Sequence, residues 1–149
     1  MSIKLFFRRS FNKEIEKKIK NYEFIRLMGR IIFKTNNGWS DLEKAMIDTG
    51  APTSLIPFSI WKDISVERIT DHKVAGINPS PECSIPIIIG KVNCIIVDEY
   101  NNRSREIEIH AYLAMTDEVP LILGFKDLLS KFRVCFDYAE NEAFVEEKN

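Results

Sequence analysis

Residues 45–57 read Ala-Met-Ile-Asp-Thr-Gly-Ala-Pro-Thr-Ser-Leu-Ile-Pro, and this stretch places one carboxylate, that of Asp48, between two apolar runs. A carboxylate is costly to bury unless it is paired or hydrogen-bonded. Gly50 allows the backbone to turn sharply and to come close to that carboxylate. Asp48 is therefore the candidate catalytic residue of the chain. The alternative interpretation is that Asp48-Thr49-Gly50 is a polar turn between two strands.

A second fragment, Pro120-Leu121-Ile122-Leu123-Gly124, is followed by Asp127-Leu128-Leu129. The two fragments together resemble the retropepsin-like aspartic proteases, in which Asp-Thr-Gly-Ala carries the catalytic carboxylate. In that family an apolar-apolar-Gly strand and a short helix lie near the C-terminal end. The resemblance covers roughly residues 24–138. It implies a mostly β fold, a retropepsin-like closed barrel with a short C-terminal helix.

The number of Asp-Thr-Gly motifs decides the expected assembly. Of the six glycines, only Gly50 follows Asp-Thr. The mechanism of the family needs two carboxylates facing one water, so the resemblance implies a homodimer with Asp48 beside its twin on the two-fold axis. The implied activity is an aspartic endopeptidase that hydrolyses a peptide or protein substrate. The alternative is a non-catalytic dimer of the same fold that binds a peptide or a partner.

The resemblance also assigns roles to single residues. Asp48, Thr49 and Gly50 form the catalytic motif, with Thr49 bonding across the dimer interface. Ser54 occupies the place of a Ser or Thr that supports the catalytic loop. The substrate cleft is expected to be lined by Ala51, Gly76, Ile77 and Ile122.

Two departures from the retroviral pattern occur together. Retroviral enzymes have acidic residues after Asp-Thr-Gly-Ala, where this chain has Pro52 and Thr53. They also have an Arg after the second Gly, where this chain has Phe125. Because the acid and the Arg form an ion pair with each other in that family, replacing both of them leaves neither charge without its partner. It indicates a cellular branch and leaves the substrate preference open.

The predicted lid over the cleft differs as well. The segments 72–77 and 84–88 resemble its rising and returning strands, and Pro79 and Pro81 stiffen the tip between them. A stiff, selective lid and an ordinary wide loop both remain open interpretations. Cys83 lies near this tip without an activating neighbour, so a packing role is expected for it.

Composition and charge narrow the remaining function classes. A chain of 149 residues with 45% apolar and 29% charged residues is typical of one soluble domain, here residues 1–149. A net charge of −1 argues against nucleic acid, and no apolar run is long enough for a signal peptide or membrane span. Three dispersed cysteines and two histidines predict no metal, no cofactor and a reducing, cytoplasmic setting.

Hydrophobic periodicity predicts the remaining elements. A first strand is expected over Ser2 to Arg8, and a helix over Ser10 to Tyr22 with Ser10 as its N-cap. Residues 1–22 thus form an extension that the resemblance does not explain. A second helix is expected over Lys126 to Phe132, with Asp127 as its cap, and a terminal hairpin over residues 134–145. His110 is expected to face outward from a strand, and Trp61 to belong to the core or an interface.

Overall fold

Strands dominate the computed structural model, which describes residues 1–74 and 85–148. Its helices are α1 (Lys13–Lys18) and α2 (Phe58–Trp61), with a 3-10 turn at Leu129–Lys131. None of these described helices is long and apolar enough to span a membrane. The expected mostly β fold is confirmed. The strands of the described residues are β1 (Ser2–Lys4), β2 (Phe6–Phe11), β3 (Glu23–Thr35), β4 (Gly38–Trp39), β5 (Glu43–Ile47), β6 (Ser54–Ile56), β7 (Glu67–Val74), β8 (Ile85–Val97), β9 (Ile107–Ala114), β10 (Ile122–Leu123), β11 (Phe132–Asp137) and β12 (Glu142–Glu147).

The strands form a small and a large sheet. The small sheet has the order β1-β12-β11, and the large sheet has the order β2-β3-β5-β10-β6-β9-β8-β7. A further antiparallel pairing joins β3 to β8, with Arg30 opposite Val97 and Phe33 opposite Cys94. Starting from β3, neighbouring strands are therefore β5, β10, β6, β9 and β8, and β8 in turn pairs with β3. Among these neighbours β5–β10 and β6–β9 are parallel pairs.

The hydrophobic core lies on one side of these strands. Alternate residues of β3 and β8, such as Ile31, Phe33 and Ile96, are fully buried, as the period of two in a strand requires. Ile3 from β1 and Val145 from β12 join the same cluster, so the small sheet packs against the large one. Burying one such side chain stabilises the fold by about 1.5–3 kcal/mol.

The N-terminal segment differs from the expectation. The strand predicted over Ser2 to Arg8 is present but divided in two, because β1 and β2 belong to different sheets and buried Leu5 lies between them. The helix predicted from Ser10 to Tyr22 is shorter, Lys13–Lys18. Ser10 is not its cap, because Ser10 pairs with Phe24 in the β2–β3 ladder.

The actual N-cap of α1 is Asn12. Its side-chain oxygen accepts hydrogen bonds from Glu14 N at 2.9 Å and from Ile15 N at 3.2 Å. Phe11, Ile19 and Tyr22, which suggested an apolar helix face, are exposed. The helix therefore forms over one short stretch, and on its N-terminal side the β2–β3 ladder takes Ser10 and Phe11 instead.

The C-terminal segment also differs in part. The helix expected over Lys126 to Phe132 is only the 3-10 turn Leu129–Lys131. Asp127 has φ 63°, a left-handed conformation that a right-handed helix does not contain. The predicted terminal hairpin is confirmed by the antiparallel pair β11–β12. Trp61 is buried and donates from Nε1 to Ala114 O at 2.6 Å, so it is a core residue.

Candidate active site

Asp48 directly follows β5, and the neighbouring strand β10 holds its backbone. Met46 N donates to Leu121 O at 2.9 Å, and Asp48 N donates to Leu123 O at 3.0 Å. These bonds extend the parallel register that places Ile122 beside Met46 and Leu123 beside Ile47. Asp48 therefore lies next to the Leu121–Gly124 segment.

The carboxylate of Asp48 organises its own turn. Asp48 Oδ1 accepts a hydrogen bond from Gly50 N at 2.8 Å, and Asp48 O accepts one from Ala51 N at 3.1 Å. Asp48 is half-buried, while Thr49 and Gly50 are exposed. Within residues 1–74 and 85–148 the Asp48 carboxylate forms no ion pair with a Lys, Arg or His side chain. The turn thus presents a half-buried carboxylate beside two exposed residues.

Gly124 is the point where the second sequence fragment contacts the Asp48 turn. A Cβ atom at this position would lie 2.7 Å from Ala51 O and 2.8 Å from Thr53 O, distances that real Cβ atoms do not reach. Phe125 N donates to Ala51 O at 3.0 Å. Only glycine allows the two backbone segments to approach this closely.

Ser54 joins the same two segments through its side chain. It is fully buried, and its Oγ accepts a hydrogen bond from Gly124 N at 3.0 Å. A buried N–H group without a partner is costly, so this hydroxyl stabilises the close approach. The expectation that Ser54 supports the loop is confirmed.

Ile122 lies on the opposite side of the sheet from the main core. It pairs with Met46 on β5 and with Leu55 on β6, whereas its neighbour Leu123 is part of the core. A separate small apolar cluster surrounds it on that side. This cluster consists of Leu55, Ala114 and Val119, with Ile85, Tyr112 and Ile122 packed against them.

Leu55, Val119 and Tyr112 belong to this cluster and were not predicted from the sequence. The strand register connects Leu55 and Tyr112 to the face of Ile122, and it depends on long-range pairing that the sequence does not show, while Val119 lies outside the strands. Ala51 is half-buried in the Asp48 turn and contacts Gly124 rather than this cluster. Gly76 and Ile77, the other two predicted cleft residues, lie outside the described residues, as do Cys83 and the proline-containing lid tip.

A second carboxylate, that of Asp127, lies in the loop that follows Gly124. Its Oδ2 atom accepts a hydrogen bond from His110 N at 2.9 Å and lies 2.7 Å from His110 Nδ1. Its other oxygen, Oδ1, lies 3.8 Å from Lys126 Nζ. Burial raises the pKa of Asp127, but the hydrogen bonds from His110 and the charge of Lys126 outweigh it, and the net pKa is lowered. Asp127 therefore connects its loop to β9 through hydrogen bonds with His110. The predicted role of Asp127 as a helix cap is wrong.

Residues 1–74 and 85–148 contain no group of three or more His, Cys, Asp or Glu side chains arranged to hold a metal ion. Comparison of the chain with protein-family models found no match, and comparison with curated proteins found none either.

Proposed function

We propose that this protein is an aspartic endopeptidase of the retropepsin-like type that acts as a homodimer. The observation that carries the proposal is the joining of the two sequence fragments at one point. Asp48 N bonds to Leu123 O at 3.0 Å, and Gly124 leaves no room for a side chain against Ala51. Two motifs separated by about 75 residues in sequence thus build one rigid carboxylate-bearing turn.

The strand pairings support the corresponding fold. The ladder that leaves β3 through β5, β10, β6 and β9 returns to β3 through β8, as a closed barrel requires. Under this proposal the main core fills the barrel. The small cluster around Ile122 then lies on the outside, where a substrate would bind.

The proposed chemistry uses two copies of Asp48 and one water. Two adjacent carboxylates cannot both ionise easily, so the pair shares a proton. The ionised Asp48 takes a proton from the water, whose oxygen attacks the carbonyl carbon of the scissile bond. The protonated Asp48 of the other subunit donates a hydrogen bond to the carbonyl oxygen. A proton then passes to the leaving amide nitrogen as the C–N bond breaks, and no covalent enzyme intermediate forms.

The single chain supplies only half of such a site. Its carboxylate is half-buried and without a cationic partner in the described residues. A cavity of about 570 Å³ lies elsewhere, lined by residues including His72, Ile87 and Met115, and Asp48 is not among them. A second chain facing Asp48 would convert the surface beside the cluster around Ile122 into a cleft. Two free thiols, Cys94 and Cys135, support placing this dimer in the reducing cytoplasm.

One observation favours a second candidate function, a non-catalytic peptide-binding dimer. Phe125 is 45% exposed at the position where retroviral enzymes carry an Arg that orders the substrate-contacting acids. Here the loop is held by backbone hydrogen bonds, from Phe125 N to Ala51 O and from Lys126 N to Pro52 O. A peptide bound at this place would meet apolar surface rather than carboxylates.

The decisive experiment compares wild type and Asp48→Asn on a library of unfolded proteins. The substitution keeps the size of the side chain and removes the ionisable group from both subunits at once. We expect cleavage to fall by several orders of magnitude, because the general base is lost. The cleaved bonds are identified by mass spectrometry of the fragments.

The control in this experiment is Asp127→Asn, which removes a carboxylate near the same loop but outside the proposed pair. Its cleavage should stay well above that of Asp48→Asn. Full activity of a folded, dimeric Asp48→Asn protein would place the chemistry elsewhere. A wild type without cleavage from acidic to neutral pH, but with peptide binding, would establish the second candidate.

A further inference from the structure

The register of the large sheet extends the face of Ile122 towards the N-terminal strands. Residues directly paired on neighbouring strands project to the same side of a sheet. Ile122 pairs with Met46, Met46 pairs with Met28, and Met28 pairs with Phe6. An apolar row therefore crosses from the proposed cleft on β10 to Phe6 on the outer strand β2.

Four cationic side chains project from the same face beside this row. Arg8 on β2 lies directly opposite Arg26 on β3, and Arg30 on β3 lies directly opposite Lys44 on β5. Both pairs are two residues from the apolar row, one pair on each side of it. We call Arg8, Arg26, Arg30 and Lys44 the cationic face.

Phe6 organises one half of the cationic face. The Arg30 Cζ atom lies 4.2 Å from the centroid of the Phe6 ring, and Lys44 Nζ lies 6.0 Å from it. Cation–π contacts of this kind hold the side chains over the ring. Arg8, Arg26 and Lys44 remain exposed, and their charged groups are accessible from solvent.

The cationic face is poorly neutralised by the chain itself. Like charges directly opposite each other in an antiparallel pair are destabilising. In the part of the chain that the structure describes, the one ion pair made by these four residues is Arg30–Glu99 at 4.0 Å, and the Glu99 side chain is 61% exposed. The chain has a net charge of −1, so the cluster does not follow from a basic composition. An anion bound here would relieve the repulsion.

The position of Arg8 and Arg26 relates the cationic face to the proposed chemistry. In the β3–β5 register Met28 is opposite Met46, the last paired position of this ladder; Arg26 is two residues before Met28 on β3, and Asp48 is two residues after Met46. Arg8 is the cross-strand neighbour of Arg26. A peptide lying along the apolar row from Ile122 towards Phe6 would pass between the two cationic pairs.

We propose that the cationic face is a subsite for acidic residues of the peptide substrate, placed a few residues from the scissile bond. This inference rests on the proposed function, because the cluster at Ile122 locates the cleft from which the row extends. Each exposed ion pair tightens binding by a factor of about 1.4–5. Several pairs together predict about a tenfold preference for an acidic peptide, since 1.4 kcal/mol corresponds to a factor of ten.

The test uses two fluorescein-labelled peptides that share a central Phe-Leu and differ only in flanking residues, Glu in one and Gln in the other. Binding is measured by anisotropy with the uncleaving Asp48→Asn protein, alone and combined with Arg8→Gln and Arg26→Gln. The matched control is Lys17→Gln with Lys18→Gln in α1, where both lysines are exposed. It removes the same net charge from residues outside the cationic face.

We expect the Glu peptide to bind about tenfold more tightly at low salt, and the preference to disappear at high salt. The Arg8→Gln, Arg26→Gln protein should lose the preference, and the α1 control should keep it. Equal binding of the two peptides by the Asp48→Asn protein would overturn the proposal. So would a preference that the α1 control also loses.

Cleavage by the wild type separates this inference from the proposed function. If both peptides are cleaved at the same rate and bound equally, the endopeptidase stands and the acidic subsite is wrong. If neither peptide is cleaved but the Glu preference persists, the subsite stands and the endopeptidase is wrong. If Arg8→Gln with Arg26→Gln turns a sedimenting dimer into a monomer, the cationic face pairs with a second copy, which overturns the subsite.

Discussion

Replacing Ser54 with Ala should weaken both the fold and the proposed activity, because one hydroxyl joins the two halves of the Asp48 turn. Ser54 Oγ is fully buried and accepts the hydrogen bond from Gly124 N at 3.0 Å. Alanine keeps the Cβ atom and creates almost no cavity. The loss therefore consists of the hydrogen bond and of a buried N–H group without a partner.

The magnitude follows from that unsatisfied donor. Leaving a buried backbone N–H unpaired costs about 1–3 kcal/mol of unfolding free energy. For a chain of this size each kcal/mol lowers the melting temperature by about 2–4 °C, so we expect a decrease of about 2–12 °C. Gly124 would also be less firmly held against Ala51. A small displacement of a catalytic group is costly, and we expect kcat/KM to fall at least about tenfold.

Ser104→Ala provides a matched control at a distance from the Asp48 turn. Ser104 is also buried, and its Oγ accepts a hydrogen bond from Ile96 N at 3.0 Å. Urea unfolding at one fixed protein concentration should give a similar loss of stability in both variants, and peptide hydrolysis should fall only in Ser54→Ala. If Ser54→Ala unfolds at the wild-type urea concentration, or if both variants lose activity equally, the supporting role of Ser54 is refuted.

The other predictions concern three further residues. Gly124→Ala should destabilise the fold by about 1–3 kcal/mol, because its Cβ would lie 2.7 Å from Ala51 O; an unchanged urea midpoint would contradict this. The pKa of Asp127 is lowered from 3.8, so its pair with His110 should stabilise the fold above that pH and lose this effect as pH falls through the folded-state pKa; Asp127→Asn should flatten the acid limb of urea midpoints measured against pH. Burial raises the pKa of Cys94 to about 12, so iodoacetamide at mildly alkaline pH should label Cys94 only in unfolded protein, as mass spectrometry would report, and rapid labelling of native protein would be contrary to this.

The strands and the Asp48 turn were accessible to sequence reasoning because both depend on local patterns. Alternation of apolar and polar residues predicts a strand from its own residues, and Gly50 predicts a sharp turn next to its carboxylate. The helix predicted over Ser10 to Tyr22 failed because Ser10 and Phe11 found backbone partners in β3. Such pairing is decided by residues distant in sequence, which a local period does not contain.

The sequence by itself determined which residues carry the chemistry proposed here. They are Asp48, Gly50 in the same turn, and Gly124 in the second fragment. Only the tertiary structure decided where Gly124 meets Ala51, that Asp127 bonds to His110 instead of capping a helix, and that Arg8, Arg26, Arg30 and Lys44 share one face. The physical reason is register. A shift of one residue between strands would turn side chains such as Arg26 and Arg30 to the other face, and register is set by long-range packing rather than by neighbouring residues.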